Sequence, residues 1–219
     1  MNTQNTTVHI RLWHREFWLM AIANLLLSMS VTMLIPTLPL WMTQALHFST
    51  DEVGLLMGAF AVGLFLPGVF CSYLVQQRRR NLVFVWCVLL LGVSMVLPML
   101  SLSVLNQPWV IGVWRLAQGA LFGLAQMVLT STLIIDTCES HQRTEANHSA
   151  TWFGRFALSL GPMTGLLLIA LSKALCPLHL EGGCESNLLF MNVVFVSMLC
   201  CFAAVVLVLM IHFPFRIPE

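Results

Sequence analysis

Charge is what this chain has least of. Ten Lys and Arg and nine Asp and Glu make up 9% of its 219 residues, where a soluble domain carries about 25%. So few ionic groups cannot wet a globular surface. With 58% hydrophobic residues and a mean hydropathy of +0.87, the composition is that of an integral membrane protein. The formal net charge of +1 offers nothing to nucleic acid. Metal-ligand spacing is missing too. The seven cysteines show no ligand pattern, and Cys71, Cys87, Cys200 and Cys201 lie in apolar runs as small packing residues. Glu139, His141, Arg143, Glu145 and His148 share one polar connection, but without a histidine pair four apart they read as a solvated loop. No apolar stretch holds paired acids, His-x-x-x-His or a Ser/His set, which excludes an intramembrane enzyme, and no cofactor or metal is expected. A cleavable signal pattern is also lacking: the first apolar run follows a polar segment and is too long for a signal h-region.

What the chain has is apolar length. Six stretches, about 17–42, 53–75, 82–105, 110–135, 151–175 and 188–212, each exceed the ~20 residues that a helix needs to cross a bilayer. The breaks between them are short and polar, so the fold class is an all-α membrane protein, a bundle of six transmembrane helices. An even number of spans leaves both termini on one side. Arg11, Arg15, Arg78, Arg79, Arg80, Arg143 and Arg216 fall on that side and only Lys173 near the other, which makes the shared side cytoplasmic, in a bacterial inner membrane. The chain then divides into a cytoplasmic segment over 1–16, the bundle over 17–213, and the start of a cytoplasmic linker or C-terminus over 214–219.

Within the spans, polar and helix-breaking residues stand out against this background. Asn24 in the first span either lines a pathway or, more simply, makes an interhelical hydrogen bond. Pro36 and Pro39 bend or end that helix. Ser49-Thr50-Asp51-Glu52 opens the second span as a cap with first-turn acids. Gly54 and Gly58, followed by Gly63 and Pro67-Gly68, read as a close-packing face. The turn holding Arg78, Arg79 and Arg80 is an orientation signal among anionic headgroups. The third span, with few polar groups, is expected to be the helix most exposed to lipid. In the fifth, Arg155 either snorkels or serves a cavity, and Gly161-Pro162-Met163-Thr164-Gly165 marks a kink that admits a neighbouring helix. Cys176 and Cys184 share one external loop, as a disulfide if that compartment is oxidising or as two free thiols.

The fourth span carries the least comfortable residue. Arg115 lies inside the 110–135 run, and an arginine at mid-helix costs roughly 2.5–3.5 kcal/mol on insertion scales, so it is expected to face a bundle interior or a wet cavity. Gln118 and Gly119, three and four residues on, share its face. Gly119 and Gly123 form a small-xxx-small ridge.

With these pieces in place, residues 12–219 resemble the N-terminal six-helix half of a major facilitator superfamily transporter, particularly the proton-coupled drug-efflux antiporters. Arg115-x-x-Gln118-Gly119-x-x-x-Gly123 resembles the family's fourth-helix motif, whose arginine is associated with proton coupling. Ala157-x-x-x-Gly161-Pro162-x-x-Gly165 is similar to the fifth-helix antiporter motif, with Ala157 and Leu166 at two usual glycines. Asp51-Glu52-x-Gly54-Leu55-Leu56-x-Gly58 and the arginine turn are similar to the second helix and the loop after it, although Leu74 and Gln77 stand where an acid and a glycine are usual. Phe213-Pro214-Phe215-Arg216 looks like the entry to a central linker.

The resemblance implies membrane transport: proton-linked efflux of small, drug-like organic molecules, with Arg115, Gln118 and Asn24 at the cavity. A family transporter closes its cavity between two six-helix halves, so the expected partners are membrane lipid, substrate and protons, and a second body, either another copy or a complementary half. The alternative is a non-transporting accessory or scaffold subunit, or a truncated transporter remnant.

Overall fold

In lipid, a long apolar run satisfies its own backbone only as a helix, and every element among the described residues is helical. The computed structural model describes residues 15–77, 80–100, 107–133, 143–175 and 186–211. Arg78, Arg79, Cys176 and Cys184, the N-terminal segment before residue 15 and the linker-like residues 213–216 lie outside them.

The first span is two helices, α1 (Arg15–Thr32) and α2 (Leu34–Ala45), broken at Met33. Pro36 has no N–H for the Thr32 carbonyl and its ring crowds that oxygen, so the chain breaks one turn ahead of the proline. Pro39 is carried inside α2. His47 then takes a left-handed φ of 56°, and the Phe48 amide donates to the Met42 carbonyl at 3.2 Å. Helix α3 (Thr50–Gln77) opens on a full capping box. The amide and hydroxyl of Ser49 donate to Glu52 Oε2 at 2.9 and 3.0 Å, and the Glu52 amide donates back to Ser49 Oγ at 3.4 Å.

Helix α4 (Arg80–Leu100) starts at the last arginine of the basic turn. Helix α5 (Pro108–Met127) has its proline in the first turn, where the missing N–H costs nothing, and runs on into a π-helical turn over Val128–Leu133. Helix α6 (Arg143–Leu175) passes through Pro162 without a break, and α7 (Ser186–Leu209) completes the bundle.

The helices follow one another around the bundle as α3, α5, α4, α7, α1 and α6, with α2 bridging α7 and α6; the α3–α5 pair is the most extensive. The core of Phe17, Met20, Leu27, Phe84, Leu91, Met95 and Ile111 is almost fully buried. Its polar members are tied off. Ser197 donates to the Ser30 carbonyl, and the Cys201 thiol to Ser30 Oγ at 3.3 Å. Cys201, read from the sequence as a packing residue, therefore also links α7 to α1.

Two expectations are corrected. Helix α4 is not the most exposed: Phe84, Cys87, Val88, Leu91, Ser94 and Met95 form a buried stripe between α5 and α7. Lack of polar groups says nothing about burial when the neighbours are equally apolar. The least covered long spans are α3 and α6, with 22% of each apolar stretch buried against 61% for α1–α2 and 39% for α7. Second, Gly54 and Gly58 do not pack within the chain. A Cβ built on either, or on Gly68, meets nothing within 4 Å. Gly63 makes the close approach to α5 instead, because five residues on from Gly58 it lies about 140° around the helix.

Candidate functional site

The site is built where α5 crosses α3. At this crossing two glycines remove the side chains that would hold the helices apart. A Cβ on Gly63 would collide with the Leu116 carbonyl, and one on Gly119 with the Phe60 carbonyl. One turn further, a Cβ on Gly123 would lie 3.1 Å from the Leu64 carbonyl and 3.3 Å from Pro67 Cγ. Gly119 and Gly123 are therefore the ridge that seats α3, and that seat draws Met57 and Phe60 over the face carrying Arg115.

Arg115 is 2% exposed. Its Nη1 donates to Gln118 Oε1 at 2.9 Å, and its Nη2 lies 3.8 Å from the Met57 sulfur. The guanidinium carbon sits 4.5 Å from the centroid of the Phe60 ring and 6.0 Å from that of Trp114. Cation–π attraction is worth about 2 kcal/mol or more where water is excluded, and it takes here the place of an ion pair. Nε has no acceptor, and none of the described carboxylates pairs with the guanidinium. Among the described residues the cation is thus held by dipoles, sulfur and π-faces, without a counter-charge. Sequence reasoning places this side chain toward a bundle interior or a wet chamber; the structure puts it inside, sealed under Met57 and Phe60.

Gln118, 1% exposed, passes the interaction on. Its Nε2 donates to Ser94 Oγ at 3.5 Å, and that hydroxyl donates to the Leu91 carbonyl at 2.7 Å. Trp114 Nε1 donates to the Ser94 carbonyl at 2.6 Å. The arginine is therefore connected to α3 through Met57 and Phe60 and to α4 through Gln118 and Ser94. Met57, Phe60 and Ser94 were not legible as site residues. The available signal was weak: Met57 and Phe60 are three apart, on the side of α3 next to Gly63.

Asn24 lies apart from this cluster. It is 2% exposed, its Nδ2 donates to the Ala150 carbonyl at 3.0 Å, and its Oδ1 accepts from Gln126 Nε2 at 2.7 Å. The simpler of its two readings, an interhelical hydrogen bond, is what it makes, joining α1 to α6 and α5. Gln126 was missed by the sequence reading. It stands just before the π-helical turn, and its Oε1 is buried without a partner.

Gly161, Pro162 and Gly165 lie at the α1–α2 break. A Cβ on Gly161 would collide with the Thr32 side chain, and one on Gly165 would come within 2.7 Å of the Met33 carbonyl. Thr32 Oγ1 donates to both the Ser28 carbonyl, at 2.8 Å, and the Ala157 carbonyl, at 3.0 Å. Two proline-weakened helices meet here, and one hydroxyl stitches them together. Arg155 is exposed on α6, away from Arg115's cluster. Arg80 opens α4. Among the described residues no group of His, Cys, Asp and Glu could hold a metal.

Compared with models of known protein families, the chain matches the one described as Major Facilitator Superfamily over residues 20–217. No curated protein matches it.

Proposed function

The chain belongs to the Major Facilitator Superfamily, a family of membrane transporters and not of enzymes, and from that premise we propose that it serves proton-linked efflux of small organic molecules together with a second six-helix body. Both termini lie in the cytoplasm on this reading, as the seven-to-one arginine and lysine bias requires. The second body is another copy of the chain or a complementary half, and it closes the cavity of which this bundle forms one wall.

One observation carries the proposal: a guanidinium buried to 2% exposure with no counter-charge among the described residues. Such a charge is costly to keep in a membrane and marks an ion or proton path. Arg115 favours the ionised form of any carboxylate that comes within ~4–6 Å and so tunes when that acid takes up a proton. Gln118 fixes the direction in which the guanidinium points. The Thr32–Ala157 stitch, where the α1–α2 break meets the proline-containing turn of α6, is where the bundle bends as the bodies rock. The open faces are mostly apolar, which suits hydrophobic substrates without selecting one.

The test is reconstitution. Proteoliposomes holding the wild-type protein are expected to expel a hydrophobic cationic dye, and Arg115→Ala to lose that efflux; undiminished efflux by the variant removes Arg115 from the mechanism. A second reading, a non-transporting scaffold subunit, is favoured by the closure of Met57 and Phe60 over Arg115. It predicts no efflux from either protein.

A further inference from the structure

Helices α2, α6 and α7 pack against one another, and where α2 and α6 end and α7 begins they leave a groove of about 280 Å³. That is just below the ~300–1,000 Å³ of a site for a drug-sized molecule, so the groove has room for a small headgroup. Its floor is apolar. Trp41 and Phe190 stack with ring centroids 4.8 Å apart and planes at 12°, and both are buried, as are Ile169 and Leu189. Its rim is polar. Gln44, the last residue but one of α2, and Lys173, two residues before the end of α6, are exposed there. Neither has a hydrogen-bond or ion-pair partner among the described residues. From Thr37 at the bottom to Gln44 at the rim, α2 rises ~10.5 Å, which spans the about 5–8 Å headgroup layer of one leaflet and reaches the first carbons below it.

Charge sets this groove apart. Lys173 is the only lysine in the chain, and none of the other nine basic residues lies near this end of the bundle. A base in a last turn complements its own helix dipole, which requires no groove; Gln44 adds a donor from a different helix, across the same opening. Helix α7 begins here with its positive pole while α2 and α6 end here with their negative ones, so the dipoles do not select an anion and the lysine does. We infer that the groove seats the headgroup of an anionic phospholipid, its phosphodiester against the Lys173 ammonium and the Gln44 amide, its glycerol and first methylenes on Leu40, Trp41 and Phe190. A polar rim over an apolar floor repeats the order of parts in a lipid. It also places a tryptophan at headgroup level, where that side chain is favoured, and a base between helices, where anionic headgroups are held. That the leaflet is the outer one rests on the reading above that the termini are cytoplasmic; the occupant does not. The lipid ties α2 to α6 one turn beyond the α1–α2 break, since Ile169 follows by one turn the Gly165 that meets Met33.

Native mass measurement of the full chain tests this, after release from nanodiscs holding equal parts of phosphatidylcholine and phosphatidylglycerol. The arginine turn at the other end collects anionic lipid too, so the informative quantity is a difference. The wild-type protein is expected to retain one phosphatidylglycerol more than Lys173→Gln. Lys173→Arg, which keeps the charge, and Arg155→Gln, which removes a cation of the same helix outside the groove, are expected to retain as many as the wild type. Thermal unfolding supplies the second arm. Phosphatidylglycerol is expected to raise the wild-type midpoint by several degrees over phosphatidylcholine alone. Lys173→Gln and Gln44→Leu are expected to lose at least half of that rise, and Arg155→Gln to keep it. Inorganic phosphate added to phosphatidylcholine nanodiscs is expected to leave the midpoint unchanged. Equal lipid retention by wild type and Lys173→Gln overturns the inference, and so does a phosphate effect matching the lipid's. Lipid held at Lys173 without efflux keeps the groove and removes the proposed function; efflux with no lipid held there does the reverse.

Discussion

Gln118 Oε1 accepts a 2.9 Å hydrogen bond from Nη1 of Arg115, one turn earlier on the same helix, and Gln118 Nε2 hands the contact to Ser94 on α4. The amide thus sits between a cation and a neighbouring helix, and both of its ends are used. Replacing Gln118 with Leu keeps the volume and strands a charged donor. Loss of a hydrogen bond to a charged group costs about 1.5–3 kcal/mol, so Gln118→Leu is expected to lower the thermal midpoint in detergent by several degrees and to reduce efflux. Gln118→Glu, which places a carboxylate beside the guanidinium, is expected to remain folded. Equal midpoints for Gln118→Leu and the wild type would show that the pair is not coupled.

The glycine ridge yields a sharper contrast. Gly119→Ala drives a Cβ into the Phe60 carbonyl, backbone that cannot step aside, while Gly54→Ala adds a methyl group to open space. Overpacking costs typically 1–3 kcal/mol. Gly119→Ala is therefore expected to lower the thermal midpoint and loosen α3, read as faster hydrogen exchange over residues 50–69. Gly54→Ala leaves both unchanged, or raises the midpoint slightly through helix propensity. Equal effects at the two positions would contradict the assignment of the crossing point.

At the α1–α2 break, Thr32→Val keeps the shape and removes the hydroxyl that donates to Ala157. Side-chain hydrogen bonds between membrane helices average about 0.6 kcal/mol, so the stability loss is expected to be small. If this stitch is part of the bending point, efflux is expected to change by more than stability does. A variant that loses both in proportion makes Thr32 merely structural.

Asn24→Ala is expected to cost about 1 kcal/mol, since it removes two bonds, to Ala150 and Gln126. Gln126→Ala, measured with it in a double-mutant cycle of thermal unfolding, is expected to show coupling between the two. Additive losses would place the two side chains apart.

Much of the fold could be read from residues in order. Run length gave six spans, Ser49 and Glu52 gave the cap of α3, and Gly119 with Gly123 gave a close-packing ridge, because each is a local pattern with a local cause. What could not be read was which face meets which neighbour. Gly54, Gly58 and Gly63 look alike in sequence, yet only Gly63 packs inside the chain; the difference is a rotation of about 140° from Gly58 and about 180° from Gly54 that acquires meaning only once α5 is in place. The same holds for the site. Arg115 and Gln118 announce themselves as polar groups in an apolar run, whereas Met57 and Phe60 are two apolar residues among many until the crossing brings them over the guanidinium. The relative exposure of α3, α4 and α6 was equally illegible, since lipid-facing and protein-facing surfaces draw on the same side chains.

The most direct test of the account is substrate efflux driven by an imposed pH gradient in proteoliposomes, with internal pH recorded at the same time. The wild-type protein is expected to move protons against substrate, and Arg115→Lys, which keeps the charge but loses the planar fork and its hold on Gln118 and Phe60, to lose most of both fluxes together. Substrate movement with no accompanying proton flux, or Arg115→Lys and Arg115→Ala both coupling like the wild type, would contradict it.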